Sequence, residues 1–204
     1  MQNILVTYKN NPLKQVRNIT MKTALILYTN GTEDIEVTAA LDVLHRGGVK
    51  ITTAAVTDES SRMVALAHGT VAVCDTNIDE LEGEFDLIVV PGGPGTKYMG
   101  QNDKVIDLLK AQKEKGKLIG AICAAPGVVL YSHGLIDDKT TASCYPGCEC
   151  GKNFSKQGVS VSEDGKIITA RSAHYAIAFG LEMLKALSGE DVSLKVARDL
   201  LVIE

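Results

Sequence analysis

The chain has 204 residues, 45% of them apolar and 23% charged, with a formal net charge of -4 at pH 7. This length and composition suit one domain with a substantial core and exclude intrinsic disorder. The Lys and Arg residues are scattered and form no basic cluster that would bind nucleic acid. No apolar run approaches the ~20 residues that cross a bilayer, and no secretory signal opens the chain. With five cysteines, an odd number that fits reduced thiols, we expect a cytoplasmic protein without nucleic-acid or membrane partners.

Residues 1–20 differ in composition from the rest of the chain. They carry Lys9, Lys14 and Arg17, contain no acidic residue, and are followed at Met21 by a clear strand pattern. We interpret 1–20 as an N-terminal extension and 21–204 as a single domain. A transit peptide is an alternative, which weak amphipathicity and a shortage of serine disfavour.

From Thr23 onward, short apolar runs alternate with helical patterns, as in βαβ units. The predicted elements, in chain order, are a strand over 24–28, a helix over 33–46, a strand over 49–56, a β-ribbon over 62–64 and 71–74, a strand over 86–90, a helix over 103–115, a strand over 117–122, a helix over 124–132, a hairpin over 158–162 and 166–170, and helices over 173–187 and 191–201. Strands that are apolar on both faces indicate a parallel sheet covered by helices on both sides. The predicted fold is therefore flavodoxin-like α/β, doubly wound and mainly parallel, with its sites at the carboxyl ends of the strands.

Cys123 is the leading candidate for chemistry. It lies between the strand over 117–122 and the helix over 124–132, with Pro126 in the first helical turn, where proline is tolerated. A free cysteine is also a common small core residue. Its position at a strand-to-helix elbow instead favours an exposed nucleophile, and the helix N-terminus is expected to lower the pKa of its thiol.

Two further loops are predicted to end at the same sheet edge. The segment 89–95, Val-Val-Pro-Gly-Gly-Pro-Gly, leaves a buried strand through consecutive glycines, which can present backbone N–H groups to a ligand or simply form a tight turn. The segment 31–36, Gly-Thr-Glu-Asp-Ile-Glu, opens a helix with three carboxylates, which can serve a site or merely complement the helix dipole.

Together the segments 31–36, 90–93 and 121–126 (Ala-Ile-Cys-Ala-Ala-Pro) resemble the DJ-1/PfpI superfamily, specifically its DJ-1/YajL/ThiJ-like branch. The resemblance covers about 22–202 and extends to Thr-Ala-Arg-Ser at 169–172. It implies that Cys123 is an oxidation-sensitive nucleophile, that Glu36 hydrogen-bonds its sulfur, and that Gly92, Gly93 and Ala124 supply backbone donors. It also implies a homodimer.

The chain departs from this pattern in two places. Many relatives have a pocket histidine where this chain reads Thr-Ala-Ser-Cys-Tyr-Pro at 141–146. The role of that histidine is therefore vacant or taken by Tyr145 or Cys144. Among the histidines of this chain, His174 is the one expected to be able to reach the pocket. Ala124 stands where PfpI-type peptidases have histidine, which disfavours a protease triad.

A cluster of Cys144, Cys148 and Cys150 suggests a soft metal. It lacks a fourth ligand and a common zinc spacing, so we predict no metal and interpret these residues as surface thiols.

The resemblance implies a cysteine enzyme that acts on small reactive carbonyls or glycated proteins, of the glyoxalase III or deglycase type, in oxidative and carbonyl stress defence. No cofactor is expected, since neither a Gly-x-Gly-x-x-Gly nor a Walker motif occurs. One alternative is a redox sensor or chaperone whose cysteine is oxidised without turnover. Another is a thiazole-biosynthesis-type ThiJ-like protein.

Overall fold

A central β-sheet organises residues 21–58 and 60–204, the part of the chain that the computed structural model describes. The predicted extension over 1–20 lies outside these residues. The strands are β1 (Thr23–Tyr28), β2 (Lys50–Ala55), β3 (Met63–Ala65), β4 (Val71–Val73), β5 (Thr76–Asn77), β6 (Leu87–Val90), β7 (Leu118–Ile122), β8 (Val159–Val161) and β9 (Ile167–Ala170). Seven of them form one sheet in the order β5-β2-β1-β6-β7-β9-β8, parallel except for β8, while β3 and β4 form a separate antiparallel ribbon.

Helices cover both faces of this sheet. They are α1 (Asp34–Arg46), α2 (Thr96–Gln101), α3 (Asp103–Glu114), α4 (Ala176–Ser188) and α5 (Glu190–Asp199), with a π-helical turn over Pro126–Leu130 after β7. Within 21–58 and 60–204, no helix combines the length and the apolar composition that crossing a membrane requires.

The side chains of β1 show how the two layers form. Alternate residues of a strand point to opposite faces. Ala24, Ile26 and Tyr28 accordingly join the apolar cluster beneath α1 and α4, whereas Leu25 and Leu27 join the cluster beneath α3. Because both faces are buried, the strand reads as a continuous apolar run, which confirms the predicted doubly wound, mainly parallel fold.

The differences from prediction lie in short elements. Helix α2 and strand β5 were not predicted, because six and two residues are too few for a periodic pattern. The helix predicted over 124–132 is a π-helical turn followed by a 3-10 turn at Tyr131–His133. Local irregularity of this kind is common at functional sites.

Helices α1 and α4 pack closely where Gly180 meets Val43. A methyl group at Gly180 would lie 2.9 Å from Val43 Cβ. Gly180→Ala is therefore expected to lower the free energy of unfolding by about 1–3 kcal/mol through overpacking. Urea denaturation measures the change, with Ala178→Ser on the exposed face of α4 as the control; equal stability of the two variants would contradict the predicted clash.

Candidate active site

Three neighbouring strands bring the candidate residues to one edge of the sheet. Strands β1, β6 and β7 are adjacent and parallel, so their carboxyl ends lie side by side. The loop after β1 leads into α1 with Glu36, the loop after β6 contains Gly92 and Gly93, and β7 is followed directly by Cys123. This edge is where open α/β sheets place their sites.

Cys123 is held in an unusual backbone conformation. Its φ is 65°, in the left-handed region that costs a non-glycine residue about 1–3 kcal/mol. Two hydrogen bonds hold it there: its N–H donates to the carbonyl of Ala170 at 2.8 Å, and its carbonyl accepts from the Tyr145 N–H at 2.7 Å. The side chain is half-buried. This geometry is that of a nucleophile elbow, which directs the side chain away from the sheet.

Glu36 lies in the first turn of α1 and is 1% exposed. The Glu33 side chain caps this helix by accepting the Glu36 N–H at 2.8 Å, which fixes the start of α1. Glu36 Oε2 accepts the Gly92 N–H at 2.8 Å. The carboxyl also interacts with the Cys123 thiol, and Oε1 is buried without a well-formed hydrogen bond to any described residue. A buried, incompletely satisfied oxygen beside a thiol is suited to exchanging protons with a bound ligand.

Gly92 and Gly93 allow this close approach. A Cβ at Gly92 would lie 2.6 Å from Cys123 Cβ and 2.7 Å from Glu36 Oε2, so only glycine fits. Gly93 has a φ of 90°. The backbone N–H groups of Gly93 and Ala124 lower the pKa of the Cys123 thiol, whereas the Gly92 N–H is donated to Glu36. Gly93 and Ala124 are therefore the donors that face the sulfur, and Gly92 positions the carboxylate.

The thiol and the carboxyl both have raised pKa values. Burial raises the pKa of Glu36 to about 7, and burial together with the negative charge of Glu36 raises the pKa of Cys123 to about 12, against the smaller lowering by the Gly93 and Ala124 amides. The prediction that the Cys123 pKa is lowered is wrong, because burial and the negative charge of Glu36 raise this pKa by more than the helix N-terminus lowers it. Between these two pKa values the pair holds one proton, on the Cys123 sulfur.

Glu36 should make stability depend on pH. Its folded pKa of about 7 exceeds the ordinary value of 4.5, so the native state keeps a proton that the unfolded state has released between these values. Stability from this group is full below pH 4.5 and is lost as pH rises through 7, by up to about 3 kcal/mol. Glu36→Gln removes this ionisation. The free energy of unfolding of the variant, relative to that of wild type, should therefore rise by up to about 3 kcal/mol between pH 5 and pH 8.

Denaturant titrations of wild type and Glu36→Gln at pH 5 and pH 8 measure this double difference. Groups remote from Glu36 titrate equally in both proteins and cancel, and Cys123 of the wild type stays protonated in this window. If the free energy of unfolding had the same pH dependence in both proteins, burial would not raise the pKa of Glu36, and the prediction would be wrong.

The auxiliary candidates lie beside the elbow, on the side of Ala170. Tyr145 donates its N–H to Cys123, while its ring is half exposed. His174 packs edge-on against Tyr175 with ring centroids 4.7 Å apart, and it lines a cavity of about 320 Å³ with Tyr145 and Arg171. Cys123 does not line that cavity, so the structure places His174 near the Tyr145 loop and shows no contact with the thiol.

His68 is a neighbour of the site that sequence reasoning left aside. It lies between β3 and β4, its N–H donates to Asp34 at 2.9 Å, and its Nε2 lies 3.7 Å from Glu33 Oε1. The ribbon folds over the loop after β1, where Gly31 donates to the carbonyl of Ala65. No local signal predicts this, because the contact depends on how the ribbon packs.

The remaining cysteine cluster differs from expectation. Cys144 and Cys150 are buried rather than surface thiols, and Cys148 is half-buried. The cause is tertiary: the loop folds back so that both sulfurs join the apolar cluster under the elbow. Among residues 21–58 and 60–204, no three or more His, Cys, Asp or Glu side chains are arranged to hold a metal.

Comparison with known proteins gives consistent matches over most of the chain. The model of the DJ-1/PfpI family matches residues 22–186. Protein dj-1beta of Drosophila melanogaster is 36% identical over 186 residues, covering 89% of this chain and 97% of the relative. Glutathione-independent glyoxalase DJR-1.2 of Caenorhabditis elegans is 34% identical, covering 83% of this chain and 91% of the relative. The solved structure of oxidized Toxoplasma gondii DJ-1 superposes with a TM-score of 0.82 at 31% identity, covering 88% of this chain and 98% of that one.

Proposed function

This chain belongs to the DJ-1/PfpI family, and from that membership and the Cys123–Glu36 pair we propose a cofactor-independent enzyme that acts on small reactive carbonyls. The model substrate is methylglyoxal, which the enzyme would convert to lactate, and aldehyde adducts on proteins are a related class. The observation that carries the proposal is a buried carboxyl with a pKa of about 7 beside a thiol at an elbow. A relative named as a glutathione-independent glyoxalase supports it.

In the first step, Cys123 Sγ attacks the aldehyde carbon. The ionised Glu36 takes the thiol proton as the carbon–sulfur bond forms, and the aldehyde oxygen becomes an alkoxide facing the N–H groups of Gly93 and Ala124. Glu36 then returns the proton to that oxygen, which gives a hemithioacetal. The pKa of about 7 suits both transfers, because accepting and donating a proton are then comparably easy at neutral pH.

In the second step, Glu36 moves a proton between adjacent carbons. It removes the hydrogen from the former aldehyde carbon, and the electron pair passes into an enediolate. Glu36 returns this proton to the neighbouring carbon, and the hydroxyl proton of the former aldehyde oxygen passes to the neighbouring oxygen, which leaves a thioester of lactate on Cys123. Water cleaves this carbon–sulfur bond, releasing lactate and restoring the thiol. The carbons exchange oxidation levels internally, and the net change is addition of one water molecule.

Lactate formation from methylglyoxal by the purified protein tests this proposal. Many lactate molecules released per protein molecule, without added thiol or metal, are the expected result. Lactate at or below one molecule per protein, with the thiol consumed, would show that the carbonyl only modifies Cys123 and would overturn the enzyme assignment.

A redox sensor is the second candidate, and the backbone N–H groups of Gly93 and Ala124 near the Cys123 sulfur favour it. The N–H groups of Gly93 and Ala124 face the sulfur, so they can also hold the oxygens of a sulfinate. Each added oxygen comes from one peroxide molecule, which is reduced to water. Mild peroxide should then add two oxygens to wild type and none to Cys123→Ala, as seen by intact mass. Such oxidation in a protein that releases no lactate would favour the sensor over the enzyme.

A further inference from the structure

A second group of thiols lies in the loop between the elbow and β8. The ends of this loop meet, since Ala142 forms a parallel bridge with Phe154 and its carbonyl accepts the Ser155 N–H at 2.8 Å. The loop packs against the turn that follows Cys123: a Cβ at Gly127 would lie 2.4 Å from the carbonyl oxygen of Glu149. A closed, packed loop holds the side chains within it at fixed separations.

Inside this loop, Cys144 and Cys150 belong to the same apolar cluster, and the Cys150 sulfur lies against the backbone two residues before Cys144. The Cys144 thiol donates to the carbonyl of Cys148 and the Cys150 thiol donates to the carbonyl of Ala142 at 3.8 Å, and their side chains are only 2% and 1% exposed. Both residues line a cavity of about 520 Å³ that also reaches Arg171. Six positions separate them, with positive φ at Gly147 (88°) and Gly151 (103°) helping the chain to turn back. Two buried thiols of one closed loop therefore line the same cavity.

The two thiols also differ in how they hold their proton. The neighbouring Cys144 thiol lowers the pKa of Cys150, and Cys150 together with burial raises the pKa of Cys144. The Arg171 charge acts in the opposite direction on Cys144. One sulfur is thus the better thiolate and the other remains a protonated partner, the division of roles found in redox-active dithiols.

We propose that Cys144 and Cys150 form a second redox centre, in which peroxide converts the dithiol to an intramolecular disulfide independently of Cys123. The Cys150 thiolate attacks one oxygen of hydrogen peroxide, forming a sulfenic acid and releasing hydroxide, which takes a proton to become water. The Cys144 sulfur then displaces the sulfenic hydroxyl as a second water. Two electrons pass from the thiols to the peroxide, and the sulfur–sulfur bond forms. Since Tyr145 donates its N–H to Cys123, the disulfide restrains one wall of the elbow site.

The test uses the full-length Cys123→Ser protein, which removes the elbow thiol and leaves four of the five cysteines. Treatment with one molar equivalent of hydrogen peroxide, denaturation and alkylation with N-ethylmaleimide should give two adducts instead of four. Dithiothreitol added before alkylation should restore four. Four adducts after peroxide, or a loss that dithiothreitol does not reverse, would overturn the proposal.

Proteolysis assigns the pair without relying on variants. Cleavage after Glu149 separates Cys150 from Cys144 and Cys148, so the two fragments should stay joined in the oxidised sample and part on reduction. Fragments that part without reduction would exclude a bond to Cys150.

Single variants then distinguish the partner. Cys148→Ser is the matched control and should still lose two adducts on oxidation, whereas Cys144→Ser should lose none. The opposite result, with Cys144→Ser retaining the disulfide, would place Cys148 in the pair and contradict the proposal.

Discussion

Replacing Cys123 by serine is expected to reduce lactate formation from methylglyoxal by about a thousandfold or more. The elbow and both backbone hydrogen bonds can persist, but an alcohol is a far weaker nucleophile than a thiol, and loss of a nucleophile removes most of the rate enhancement. Steady-state lactate assays over a range of methylglyoxal concentrations measure the change in kcat/KM. The loss should appear in kcat, since the sulfur acts on the reacting carbon rather than on binding alone.

Cys148→Ser is the matched control for this prediction, because it removes a half-buried thiol outside the elbow. It should keep activity within about twofold of wild type. Equal activity of Cys123→Ser and wild type would remove the elbow cysteine from the mechanism, and equal loss in both variants would indicate a general thiol effect.

Glu36→Gln is expected to lower lactate formation by about 10²- to 10⁴-fold, the range typical for loss of a general acid–base group. The amide has the shape of the carboxyl and can still accept the Gly92 N–H, so the elbow geometry should be kept. It cannot carry a proton between carbons. Wild-type kcat/KM should therefore vary with an ionisation near pH 7, and this dependence should be absent from the residual activity of the variant.

Asp42→Asn provides the control for Glu36→Gln, because it makes the same carboxyl-to-amide change on the partly exposed face of α1. Asp42 pairs with Arg46 at 2.7 Å, an ion pair worth little at the surface. Activity should be unchanged. If Glu36→Gln retained most of the turnover while Cys123→Ser lost it, the proton carrier would be another group, and the Glu33–His68 pair would be the next to examine.

The two proposed thiol centres differ in their chemistry. Cys123 faces a carboxyl and two backbone donors, so it can exchange protons with a substrate or hold added oxygens. Cys144 shares a cavity with the buried Cys150, so the simplest oxidation product in the proposed centre is a disulfide. In one oxidised sample, intact mass measures the oxygens added to Cys123, and the N-ethylmaleimide adducts that dithiothreitol restores measure the disulfide.

Sequence alone determined the architecture and where to look for chemistry. Apolar runs such as 24–28 and 86–90 predict buried parallel strands, and the carboxyl ends of parallel strands meet at one edge, so Cys123 and the 92–93 glycines had to lie close together. The pairing of Glu36 with Cys123 came from the family resemblance rather than from spacing. The shortest elements, such as α2, left no periodic signal.

Tertiary packing alone decided the electrostatics and the loop contacts. A local argument from the helix terminus predicted a lowered pKa for Cys123, but burial and the charge of Glu36 act through space and reverse the direction. The burial of Cys144 and Cys150 depends on a loop closed by Ala142 and Phe154. Periodicity reports which face of an element is apolar, whereas the solvation of a single charge or thiol depends on every segment that folds over it.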